Sequence, residues 1–205
     1  GSFWWGVIGV IYFEYISFVG HIEVVLHRCI WTALFLLITT SYFSKWKIFI
    51  NTIKNYKILF TLFVSGFLIF INWAVWIYAV ANNQIIDASF GYFIMPILSV
   101  LLGNFFFKEI LNIKRKIAII LVLISILFLL FVSIKSIPWV GLVVASSWGF
   151  YNLLRKKINV DTDVGLLVES LFILPFALIA FYLIFQKGLN DFSFSNPSLM
   201  FLLLL

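Results

Sequence analysis

Apolar residues fall in long runs separated by short polar, basic stretches. A lipid-spanning helix needs about 20 predominantly apolar residues. The pattern predicts such helices over 2–19, 26–43, 58–80, 86–107, 116–134, 138–154 and 164–186, with an eighth beginning at 198. The first run lacks a basic leader and a small-x-small cleavage site, so it is expected to be a helix rather than a signal peptide. The stretch Lys45–Lys57 is short, basic and amphipathic. It fits a segment lying along the membrane surface, or a solvated loop.

The polar stretches then give orientation. Lys45, Lys47, Lys54 and Lys57 follow the second run, Lys108, Lys114, Arg115 and Lys116 follow the fourth, and Arg155, Lys156 and Lys157 follow the sixth. The odd-numbered runs are followed by none, none, Lys135 alone and Lys187 alone. This alternation is the positive-inside rule and places the N-terminus in the cytoplasm of a bacterial inner membrane. A missed helix would scramble it.

Composition agrees. The chain of 205 residues is 64% hydrophobic and 11% charged, with mean hydropathy +1.15. A soluble domain carries about 25% charged residues. The net charge of +6 is accounted for by the loops, so nucleic acid is not an expected partner. The lone Cys29, inside an apolar run, is expected to be a small buried hydrophobe. The chain begins at Gly1 and stops inside the run Leu199–Leu205, which is the pattern of a fragment.

A weak repeat is present. Trp5-Gly6 and Trp148-Gly149 lie 143 residues apart, and the loop charges invert between the two. Five helices per unit would put the second unit into the membrane upside down, as inverted-repeat transporters are built. The expected fold is therefore an all-α integral membrane protein of inverted five-plus-five transmembrane helices, truncated here to about seven and a half. Residues 1–135 form the first repeat and 136–205 the start of the second.

No nucleotide loop, metalloprotease helix, nucleophile elbow or dinucleotide fingerprint is present. The chemistry must come from polar groups at membrane depth, which are costly in lipid and face a cavity or a partner. Arg28 suits a substrate carboxylate, or snorkels to the headgroups. His27 suits a proton relay or a structural hydrogen bond. Asn72 and Trp76 share a helix face, and Asn72 beside Trp73 suits a small polar ligand or an interhelical bond. Pro96 frees the Tyr92 carbonyl at mid-membrane. Glu169, just inside a run that also holds Pro175, suits a proton carrier or a paired structural group. Glu14 lies nearer a helix end, and Glu109 beside Lys108 reads as interfacial. Gly141, Ala145 and Gly149, and Gly91, Ser99 and Gly103, form small-residue ladders for close helix packing.

The stretches Trp5-Gly6, LHRCIW (26–31), INWAVWIYAVANNQIIDASFGYFIMPILSVLLG (71–103), FYNLLRKK (150–157) and GLLVESLFILP (165–175) carry a resemblance. Through them the chain resembles the RarD-like branch of the EamA type drug/metabolite transporter superfamily. The resemblance implies ten helices in two inverted repeats, cytoplasmic termini, and movement of small metabolites by alternating access. The expected function is secondary transport of a small organic, amino acid-like solute. Arg28, Asn72, Trp73, Tyr92 and Tyr151 are the expected solute-binding residues, with Glu169 or His27 coupling protons. No cofactor or metal is expected. The expected partners are a small-molecule solute and membrane lipid, with a homodimer left open. The competing classes are a membrane-embedded enzyme, which would need a metal cluster or an acid/base pair at one depth, and a non-transporting structural or sensory bundle.

Overall fold

The computed structural model describes residues 4–108, 111–133, 138–192, 199 and 202–203, with side chains described outside 4–6 and 129–133. Glu109, Lys135, the side chain of Trp5, and most of the run from 198 lie outside them.

The described residues are helical and contain no strand. A π-helical turn (Trp4–Gly9) runs into α1 (Val10–Tyr15), followed by α2 (His21–Tyr42), α3 (Trp46–Lys54), α4 (Tyr56–Ala81), α5 (Ile85–Phe107), α6 (Ile113–Ser133), α7 (Trp139–Lys157) and α8 (Thr162–Gln186). Four of these, α2, α4, α5 and α8, are long and apolar enough to cross a membrane. The basic residues fall at the start of α6 and the end of α7.

Two boundaries differ from the apolar runs. The first helix ends at Tyr15 rather than 19, because residues 16–19 leave it through tight turns, with the Ser17 N–H on Glu14 O and the Val19 N–H on Ile16 O. The second helix begins at His21 rather than 26. Its first turn holds Glu23, a charged residue that interrupts the apolar pattern but suits the positive end of a helix dipole.

Side chains close the starts of α4 and α8. Asn55 accepts from the amides of Lys57 and Ile58 at the head of α4, and Asp161 accepts from Asp163 and Val164 at the head of α8. Helix α3 packs on α4 and α8. It turns Trp46, Ile48, Ile50 and Ile53 outward among its lysines, the form of a surface-lying amphipathic helix.

The helix ends sort into two faces. On one face Lys45 Nζ lies 3.1 Å from Asp161 Oδ1 and 2.8 Å from Asp163 Oδ2, which ties the exit of α2 to the head of α8. Lys156 and Lys157 lie over the rings of Phe107 and Phe106 there. On the other face His21 and Trp139 meet Tyr78. Glu23 accepts from the Asp191 and Phe192 amides at 2.8 and 2.9 Å, which ties the head of α2 to the exit of α8. The basic loops thus share one face, as an alternating chain requires.

The tightest helix crossing runs through glycine. A methyl on Gly91 of α5 would sit 2.6 Å from the Gly141 carbonyl of α7, and one on Gly141 would sit 2.6 Å from the Asp87 carbonyl. The first small residues of the two ladders, Gly91 and Gly141, therefore meet each other, while Gly149 packs on Leu98 and Leu102. Outward-facing Phe, Ile and Leu cover the lipid side, for instance Phe105 and Ile86 at 79% and 76% exposure.

Candidate functional site

Two charged clusters lie inside the bundle, and each centres on the eighth residue of its helix, Arg28 in α2 and Glu169 in α8. At 1.5 Å per residue each charge is about 10 Å below its helix start. Because α2 and α8 start on opposite faces, the two clusters lie toward opposite sides of the bundle.

Glu169 is fully buried. Ser65 of α4 donates its hydroxyl to Oε1 at 2.5 Å, and Tyr151 of α7 donates to Oε2 at 3.3 Å. Arg155 Nη1 approaches Oε1 to 3.7 Å. The carboxylate thus has donors from two neighbouring helices and a nearby cation, the set that a buried carboxylate requires. Helix α4 comes close enough to supply Ser65 because the next residue is glycine. A methyl on Gly66 would meet the Glu169 carbonyl oxygen at 3.1 Å.

Arg28 is held differently. Its guanidinium lies 4.5 Å from the Trp73 ring and 5.8 Å from the Phe13 ring. The phenols of Tyr12 and Tyr92 are within electrostatic range. Cation–π contact compensates part of the lost hydration. Cys29, beside it, is buried.

The remaining sequence candidates divide between the clusters and the packing. Trp73 and Tyr92 join Arg28, and Tyr151 joins Glu169. Asn72 is buried and donates through Nδ2 to Val144 O at 3.0 Å and Ser147 Oγ at 3.1 Å, which bonds α4 to α7. Trp76, on the same face, is also buried, with its ring 5.0 Å from Phe13. His27 is buried between the rings of Phe181 and Phe192, with Nε2 3.8 Å from Glu23 Oε1. Glu14 is exposed. Among the described residues no group of three His, Cys, Asp or Glu could hold a metal ion.

Three participants were not singled out from the sequence. Ser65 is a lone hydroxyl in an apolar run. Glu23 falls in a segment that the hydropathy pattern leaves between helices. Arg155 stands in a basic triplet that the topology rule already accounts for. The spacing Tyr151–Arg155, one helical turn apart and facing a carboxylate-bearing helix, was the available signal.

The EamA-like transporter family model matches residues 1–131. The chain is 35% identical over 203 residues to protein RarD of Escherichia coli strain K12, covering 99% of this chain and 68% of that one. It is 35% identical over 199 residues to an uncharacterized transporter of Vibrio cholerae, covering 97% and 65%. It is 34% identical over 177 residues to the uncharacterized transporter YojE of Bacillus subtilis, covering 85% and 59%. The chain therefore spans about two thirds of the length of its relatives. No solved structure matches it. A multi-pass helical bundle with these relatives identifies the chain as a RarD-like member of the EamA-like transporter family.

Proposed function

We propose that the protein is a secondary transporter of a small organic, amino acid-like solute in the bacterial inner membrane. It works by alternating access, with the N-terminus and the basic face in the cytoplasm. The observation that carries the reading is Glu169, a fully buried carboxylate held by hydroxyls from α4 and α7. A structural bundle gains little from such a group, whereas a proton-coupled carrier needs one that can be charged and neutralised at membrane depth. Arg28 is the group for the solute carboxylate, with Trp73 and Tyr92 beside it. Asn72 holds the α4–α7 wall, and His27 is the second candidate for moving protons.

The inverted five-plus-five plan belongs to this reading, with repeats at 1–135 and 136–205. The inter-repeat contacts support it in pairs. In such a plan α2 and α8 are counterparts and pack on each other. The contact of the third helix with the sixth is α4 with α7. Its counterpart is the first helix with the eighth, and there Tyr12 donates its hydroxyl to Leu202 O at 2.5 Å.

The test uses the full-length protein in liposomes, with a panel of radiolabelled amino acids and an imposed pH gradient. The wild type should accumulate a panel member above equilibrium. Glu169→Gln should retain solute–solute exchange but lose accumulation. Arg28→Lys, which keeps charge but not the planar fork, should weaken uptake by about tenfold, in line with the loss of a charged hydrogen bond. Loss of exchange and accumulation together in Glu169→Gln would refute the coupling role.

A further inference from the structure

Of the three basic residues that end α7, two lie over phenylalanine rings at the end of α5, and one turns the other way. Arg155 runs inward across α8. Its Nη2 donates to the Thr162 carbonyl at 3.3 Å, and its Nη1 reaches to 3.7 Å from Glu169 Oε1. Nη1 is buried and makes no hydrogen bond. The route exists because residue 165 is glycine. A methyl there would lie 1.8 Å from Nη1 and 2.6 Å from the guanidinium carbon, so even alanine would displace the guanidinium.

We propose that Arg155, laid across Gly165, is the positioning residue that sets when Glu169 holds its proton: it pairs with the ionised carboxylate and swings toward the basic face when the carboxyl is neutral. The inference rests on the proton-coupling reading of Glu169 and deepens it. At 3.7 Å the two groups are close enough for charge attraction but outside hydrogen-bond distance. A small advance would join them, and a small retreat would release them. The hydroxyls of Ser65 and Tyr151 cannot serve in the same way, because each donates to a neutral or a charged carboxyl alike.

Charge on the neighbouring elements leaves this role to Arg155. From α7 the groups that act on Glu169 are Arg155 and Tyr151, and from α4 the group is Ser65. Helices α2 and α3 also pack on α8, and among the described residues they bring no titratable group that acts on this carboxyl. Neither does Asp163 of α8 itself.

The test needs no solute. The full-length protein in lipid nanodiscs is titrated from about pH 4 to about pH 10, spanning ordinary carboxylate and lysine values. Infrared spectroscopy follows the carboxylic acid C=O band that Glu169→Gln removes. Removing a cation favours the protonated carboxyl. Arg155→Ala and Gly165→Ala should therefore both move the midpoint of that band upward by about one pH unit or more, about tenfold in proton affinity. Arg155→Lys should move it less. A midpoint unchanged in Arg155→Ala would overturn the role of Arg155 and leave Glu169 as the proton carrier. Absence of any titrating band that Glu169→Gln removes would overturn both. Gly165→Ala joins the comparison only if it folds, and Arg155→Ala decides without it. A merely structural guanidinium would change stability without moving the midpoint.

Discussion

Arg28 and Glu169 are each the eighth residue of their helix, α2 and α8, yet the bundle treats them oppositely. The cation is surrounded by ring faces, with Trp73 at 4.5 Å, and keeps its charge. The anion is given hydroxyl donors and a cation held just out of hydrogen-bond distance. The chemistry of the two groups explains the contrast. A guanidinium does not lose its proton in a protein, so the surroundings must tolerate a permanent charge. A carboxylate can be neutralised, so its surroundings can be built to hold either form. On the function proposed above, the first cluster would recognise the solute and the second would switch.

The contrast depends first on the two clusters facing different compartments. Cysteines placed at Lys54, Arg115 and Lys157, on the Glu169 side, should be closed to a membrane-impermeant reagent applied to intact cells. Cysteines at Asn83 and Asn190, on the Arg28 side, should label. The effect is all-or-none, and labelling at Lys54 would reverse the assignment of the clusters to the two sides.

Next in size is stability. Glu169→Ala would leave Arg155 without its counter-charge and Tyr151 without its acceptor, while Ser65 keeps the Leu62 carbonyl, at a cost of about 3 kcal/mol. Arg28→Ala removes the guanidinium from against the Trp73 and Phe13 rings, and the cation–π part of its cost should be about 1 kcal/mol. Equilibrium unfolding of the two full-length variants in one detergent compares them directly. Equal losses would mean that Arg28 is as tightly paired as Glu169.

The smallest effect belongs to the surface pair, a control for charges that never leave water. The hydrogen bond from Lys45 holds the Asp161 carboxyl below its ordinary value, and the bonds to Asp163 and Asp161 hold the Lys45 amine above its own. The carboxylate's contribution is present above about pH 4 and is lost as pH falls through its lowered value. The amine's contribution is present below about pH 10 and is lost as pH rises through its raised value. In thermal unfolding against pH, Lys45→Ala should erase this small acid limb, and about 1 M salt should mimic the variant. The Glu169 and Arg28 clusters, being buried, should be insensitive to the same salt.

The parts of the molecule that were legible in the sequence are those set by one residue and the solvent. Hydropathy placed α4 at 58–80, against an observed Tyr56–Ala81, and α8 at 164–186, against Thr162–Gln186. In lipid the burial of backbone groups forces a helix wherever the run is long enough. The boundary of α2 was missed because Glu23 is polar for a reason outside its own helix, namely the amides of residues 191 and 192. Glu169 and Arg28 stand out as charges in apolar runs, but their surroundings do not, because Ser65, Tyr151 and Trp73 come from other helices. Arg155 was hidden by its neighbours, since the loop rule accounts for all three basic residues, and only its side chain turns inward.

The Glu23 carboxylate has a consequence for how the protein is made. Its amide partners lie 168 residues further along the chain. At typical synthesis rates of roughly 5–20 residues per second, they emerge on the order of ten to thirty seconds after Glu23 has left the ribosome. Throughout that interval the acid at the third position of α2 lacks these two amide donors, with His27 one turn along the same helix near it. The helix must wait with that end at the headgroups. Its final depth is set only when α8 has been inserted and its exit folds back to meet it. The contacts that close the head of α2 therefore form only after the exit of α8 has been made, long after α2 itself.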